Sequence, residues 1–170
     1  MIWLLYGLGG IVGLIVLVVV VGVLLPKAHI VSRRACYKHG PEAIWNAIFG
    51  PPTWRSDVQR FEILPEQNGH RVWREHLKGN MKITLEAVEV KPPLRLVTKI
   101  IDKDLPFGGT WTHAIVPTRE GCAVTITESG EVYNPIFRFM SRFVFGHSAT
   151  IKRYLRDLGK KFGEQITVEG

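Results

Sequence analysis

The segment NPIFRFMSRFVFGHSATIKRYLRDLGKKFGE, Asn134 to Glu164, is the stretch whose reading decides the fold. Asn134 followed by Pro135 is a helix opening, an N-cap side chain and then a residue whose φ is already helical. No proline follows. Ile136, Met140, Phe143, Val144, Ile151, Tyr154, Leu155, Leu158 and Phe162 recur at steps of three, four and seven, the spacing of one face of an α-helix. Arg138, Arg142, Lys152, Arg153, Arg156, Lys160 and Lys161 occupy the opposite face. The pattern predicts a single long helix, and a helix so one-sided needs a broad apolar surface to lie on.

The preceding residues supply that surface as strands. A first strand is read over 29–38. Gly40-Pro41-Glu42 then opens a short helix, Pro41–Phe49, which Gly50-Pro51-Pro52 ends. Thr53–Val58, with Trp54 at its centre, reads as a second short helical turn or a loop. Further strands are predicted at 60–66, 70–78, 81–91, 94–101, 110–117 and 121–132. Asn68-Gly69, Gly79-Asn80, Pro92-Pro93, Gly108-Gly109 and Glu120-Gly121 punctuate them. Connections this short join antiparallel neighbours. The expected class is α+β: a curved antiparallel sheet of about seven strands around a long C-terminal helix, with two short helices after the first strand. Such a sheet leaves an apolar cavity beneath its helix, suited to a small hydrophobic ligand.

Ile2–Leu25 stands apart, having no charged residue. At about 1.5 Å per residue it is long enough for a bilayer core of roughly 30 Å. A basic leader and a small-x-small site before Pro26 are both missing, so the segment reads as a retained anchor rather than a cleaved signal peptide. The division is then 1–26, transmembrane anchor, and 27–170, ligand-binding domain. All 22 Lys and Arg lie after Leu25, which predicts a single-pass protein of the cell (inner) membrane with its domain in the cytoplasm. The net charge of +7 suits an anionic lipid surface. The basic residues are dispersed and no nucleic-acid motif appears, so nucleic acid is not an expected partner. Cys36 and Cys122 are too few for a zinc site or a disulfide framework, and both are expected to be reduced.

Four stretches carry a resemblance: Pro41-Glu42-Ala43-Ile44-Trp45; Val88-Glu89-Val90-Lys91-Pro92-Pro93-Leu94-Arg95-Leu96; Gly108-Gly109-Thr110-Trp111 leading to Val116-Pro117-Thr118; and Val124-Thr125-Ile126-Thr127-Glu128-Ser129-Gly130-Glu131 into Asn134-Pro135. Over about 29–165 the chain resembles the helix-grip fold of the START and Bet v 1 superfamily, and within it the polyketide cyclase/dehydrase-like (SRPBCC) proteins. The resemblance implies an internal pocket for lipids, sterols or aromatic polyketides. Its members include both carriers and enzymes, so it does not choose between them.

Candidate site residues follow from the strand pattern. Trp111, His113 and Ile115 share a face, so His113 either enters the pocket as a hydrogen-bond donor or general base, is satisfied within the sheet, or is exposed on its outer face. Glu128 shares a face with Val124 and Ile126, where it binds a polar head, acts as acid or base, is paired with an Arg, or turns toward solvent as the strand ends. Glu75 and His76 are adjacent on a strand and point to opposite faces, a poor catalytic dyad. His147 follows Gly146 in the long helix, either lining the pocket mouth or bonded to a neighbour on the helix face. The expected pocket is lined by Trp54, Trp73, Trp111, His113, Glu128, His147 and Tyr154. His113 and Glu128 are the catalytic candidates if the protein is a cyclase or dehydratase. No metal-ligand spacing, phosphate loop or dinucleotide fingerprint occurs, and no metal or cofactor is expected. The run 137–145 is apolar on more than one face, read either as buried beneath the short helices or as dipping into a bilayer.

Overall fold

The structure, a computed structural model, describes residues 2–146 and 148–170, without the side chains of 2, 4, 5, 8 and 145. The chain opens with helix α1 (Ile2–Leu24), strand β1 (Ala28–Tyr37) and helix α2 (Pro41–Phe49). Six strands follow: β2 (Val58–Gln67), β3 (His70–Leu77), β4 (Lys82–Lys91), β5 (Arg95–Ile100), β6 (Phe107–Thr118) and β7 (Gly121–Val132). They form one seven-stranded sheet in the order β1-β7-β6-β5-β4-β3-β2, every pair antiparallel. The hairpin signals act as read. Asn68 and Gly69 both take positive φ (53° and 76°) in a two-residue turn, the backbone that matches the twist of the flanking strands.

The C-terminal region departs from the single rod that its spacing predicts. Helix α3 (Pro135–Met140) passes into a five-residue π-helical turn, Ser141–Phe145, and a separate helix α4 spans Ala149–Lys161. Gly146 makes the break with φ 71° and ψ 138°, a backbone open almost only to glycine. The apolar residues of the first half wind around more than one side. They cannot continue the stripe of the second half, so Ile136, Phe137, Phe143 and Val144 are exposed. Arg138, expected on the polar face, is buried instead. The second short helix is also absent. Residues 51–57 form turns, held by Thr53 N–H donating to Pro51 and Arg55 N–H to Pro52, because consecutive prolines lack the donors a helix would use.

Helix α4 supplies the grip. Ile151, Leu155 and Leu158 are fully buried among Ala35 and Tyr37 of β1, Val124 and Ile126 of β7, and Ile44 of α2. The Tyr37 hydroxyl donates to the Leu155 carbonyl at 2.9 Å, tying helix to sheet edge. Asp157, also buried, accepts from Ser56 through both its N–H and its hydroxyl, which fixes the 51–57 turns onto the helix. At the other end of the chain, α1 lies against α3. A Cβ on Gly22 would fall 2.1 Å from the Pro135 carbonyl oxygen, so only glycine permits this approach. Among the described residues no helix is long and apolar enough to cross a membrane.

Burial separates the two halves of the C-terminal region in a testable way. Leu158→Ala, at a site with no exposure, is expected to cost about 2–5 kcal/mol, whereas exposed Val144→Ala should stay within about 0.5 kcal/mol. Urea unfolding followed by tryptophan fluorescence of the full chain in nonionic micelles reads both values.

Candidate functional site

Under α4 the concave face of the sheet encloses a cavity of about 730 Å³. Its walls follow from strand register. Alternate residues Trp73, Glu75 and Leu77 of β3, Ile83 and Leu85 of β4, Leu96, Thr98 and Ile100 of β5, and Trp111 and His113 of β6 all face inward. Pairing sets them in rows: Leu96 beside His113, Thr98 beside Trp111, and Trp111 beside Glu128. The 50–57 turns close one side. Phe137, Ser141, Gly146, Ala149, Thr150 and Arg153 close the other.

Tyr154 of α4 is the hub. Trp54 meets its ring edge-on at 5.0 Å, Trp111 at 5.7 Å, and the His113 ring lies 5.4 Å away. The Arg55 guanidinium sits over the same ring at 5.3 Å, within cation–π range. The sequence placed Trp54, Trp73, Trp111, His113, Glu128 and Tyr154 in one pocket, and all six line this cavity. His147 falls outside the described residues.

His113 is the most exceptional of these groups. It is buried, and neither ring nitrogen makes a hydrogen bond of good geometry. Burial lowers its pKa to about 4, with the Arg55 cation acting in the same direction and the Leu96 backbone opposing weakly. The imidazole is therefore neutral near pH 7, an unspent donor and acceptor facing an apolar space. Glu128 is differently placed. Trp111 Nε1 donates to it at 3.0 Å and His29 Nε2 lies 3.1 Å from its other oxygen. No hydrogen bond joins it to His113, so the two line one cavity without forming an acid–base dyad.

A buried charge cluster was missed by sequence reasoning. Arg55 makes a bidentate pair with Asp57 (3.1 and 3.0 Å) and a 2.6 Å bond to Glu75, which also accepts from Trp73 Nε1. Burial works against the Arg55 charge, but Glu75 and Asp57 outweigh it and raise the pKa above the usual guanidinium value. The signal for Glu75 was present, since it shares a strand face with Trp73 and Leu77. Nothing local pointed to Arg55, whose turn is brought in by Asp157 from a hundred residues away. His76 points to the outer face, 3.2 Å from Glu62, as the alternation required. Cys36 and Cys122 are free thiols. Among the described residues no group of His, Cys, Asp and Glu is arranged to hold a metal ion.

This architecture is shared with proteins of known structure. The di-domain ARO/CYC StfQ of the steffimycin biosynthetic pathway superposes with a TM-score of 0.64 at 14% identity, over 81% of this chain and 53% of that one. The present chain thus spans about half of that di-domain protein. Norcoclaurine synthase from Thalictrum flavum gives 0.61 at 11% identity (81% and 88% covered), and a conserved protein from Geobacillus kaustophilus gives 0.62 at 14% (82% and 99%). No family model matches the sequence, and no curated protein matches it. At these identities the likeness is one of fold: seven antiparallel strands gripping a C-terminal helix.

The His113 environment has a pH signature. Between its unfolded value of 6.5 and about 4, the unfolded chain binds a proton that the folded chain refuses, so this group's contribution to stability falls as pH is lowered through that window. The full effect is roughly 3 kcal/mol. His113→Phe should remove it: the stability difference between the native chain and the variant, measured by urea titration, should shift by that order from pH 7 to pH 4. A pH-independent difference would exclude a neutral buried imidazole.

Proposed function

We propose that the protein is a membrane-anchored binding protein of the SRPBCC type, holding a hydrophobic small molecule or lipid between sheet and α4. One observation carries this reading: a cavity of about 730 Å³ with mostly apolar walls and the neutral, unsatisfied imidazole of His113 inside it. Its size lies in the range of small-molecule sites. Apolar burial at about 25 cal/mol per Å² provides affinity, and His113 with Tyr154 orients whatever polar group the ligand carries. The neighbours named for a biosynthetic ARO/CYC pathway and for norcoclaurine synthesis accord with a ligand-holding cavity in this fold.

The anchoring half of the proposal rests on the sequence and on surface chemistry. Residues 2–25 carry no charge, and Trp3, Leu14, Val16, Leu17, Val20 and Leu24 project from α1 with no protein to cover them. Exposed Ile136 and Phe137 sit on α3, which packs against α1, and exposed Phe143 and Val144 on the π-helical turn that follows it, so the uncovered apolar surface concentrates there. Phe137, Ser141 and Gly146 belong both to this region and to the cavity wall, so in this reading the ligand entrance adjoins the bilayer. With all Lys and Arg following residue 25, the domain faces the cytoplasm of a single-pass inner-membrane protein.

A second reading is an enzyme of the cyclase or dehydratase type. The observation in its favour is His113 itself, with both nitrogens open and Arg55 and Tyr154 beside it. A neutral imidazole accepts a proton from bound substrate only if the site stabilises the resulting cation, and Glu75 and Asp57 are spent on Arg55.

Titration of the full chain in nonionic micelles with N-phenylnaphthylamine, read by quenching of the cavity tryptophans, tests the first reading. Leu85→Trp fills the cavity and should weaken binding at least tenfold without loss of folding; unchanged affinity would place the dye elsewhere. Chemical conversion of a bound aromatic polyketide, abolished in His113→Phe, would favour the second reading instead. For the anchor, alkaline carbonate washing should leave the full chain with the membrane and release a chain starting at Pro26; full-chain release would count against it.

A further inference from the structure

A second cleft, of about 580 Å³, opens where α1 runs into β1. Lys27, His29, Arg33, Arg138, Arg142 and Ser141 line it, and among the described residues no carboxylate does. Arg138 is 7% exposed. Its guanidinium donates to the carbonyls of Val23 (3.4 Å), Leu25 (3.0 Å) and Tyr133 (3.1 Å), capping the end of α1, while its Nε is buried with no partner. Arg33 donates to the Ser32 carbonyl, and its Nε is likewise buried and unpartnered. Among the described residues none of Lys27, Arg33, Arg138 and Arg142 has an ion pair. The helix-end carbonyls around Arg138 carry only a fraction of a charge. A buried guanidinium so poorly compensated, with three more cations around the same opening, is a site short of an anion.

We propose that this cleft binds the phosphate of an acidic phospholipid. Guanidinium groups suit phosphate oxygens in number and in planar geometry. A carboxylate ligand would leave most of the donors idle. Basic pockets at the end of a membrane helix meet phospholipid heads at that depth. Glu128 and Glu131 line the adjoining apolar cavity rather than the cleft, and His29, the one cleft residue engaged by an acid, holds Glu128. His29, Val132 and Ser141 line both spaces, so they adjoin. The inference deepens the ligand reading above by giving the bound molecule an anionic head, and the lipid source rests on that reading; the phosphate chemistry does not.

The test uses the full chain in nonionic micelles and three probes: dihexanoyl phosphatidic acid, dihexanoyl phosphatidylcholine and inorganic phosphate, with affinities from native mass spectrometry. Phosphatidic acid should bind at least tenfold tighter than either of the others. The double variant R33Q/R142Q, which leaves the α1 cap intact, should lose at least tenfold of that affinity. It should bind N-phenylnaphthylamine within twofold of the native chain, which also certifies its fold. Equal affinity for phosphatidylcholine, no binding of phosphatidic acid, or no effect of the double variant would overturn the proposal. Inorganic phosphate binding as tightly as phosphatidic acid would overturn the lipid source. Dye binding without phosphatidic acid binding would sink this cleft alone; the reverse would sink the apolar-cavity reading alone.

Discussion

The contact between the apolar face of α4 and the hollow of the sheet is the constraint on which the rest depends. A seven-stranded antiparallel sheet with one apolar face cannot leave that face in water, and Ile151, Leu155 and Leu158 cover it only in part. They close the region over β1 and β7, where the core is dense with Ala35, Val124 and Ile126. Toward β3, β4 and β5 the sheet curls beyond the helix's reach. Close packing fails there, and the cavity is the space between what the helix covers and what the sheet encloses.

That geometry explains the polar groups inside. Arg55 enters the apolar region because Glu75 and Asp57 neutralise it, and removing either would leave a buried charge. Glu128 is tolerable because Trp111 and His29 satisfy both oxygens. His113 is tolerable for the opposite reason, since it stays neutral. Both of its ring nitrogens are unspent, so it gains from a ligand that carries a polar group.

The strands were legible because Asn-Gly, Gly-Asn and paired prolines mark their ends and because alternation sorts their faces. The pocket aromatics were legible for the same reason: Trp73, Trp111 and His113 sit at the right parity. What failed was continuity. Spacing at three and four persists across Gly146, so a periodic reading runs α3 and α4 together and misses the break that one positive φ imposes. Arg138 was misplaced with it. Counted on the polar face of a single helix, it is instead buried at the end of α1, a contact between residues more than a hundred apart that no local pattern encodes. The Arg55 cluster escaped for the same reason.

The central claim is that the space beneath α4 exists to be filled. Native mass spectrometry of the chain extracted gently from membranes measures this most directly. The account predicts a bound hydrophobic molecule of defined mass that survives mild activation and is lost in Leu85→Trp. A native chain that flies at its bare mass, before and after incubation with extracted membrane lipid, would contradict it.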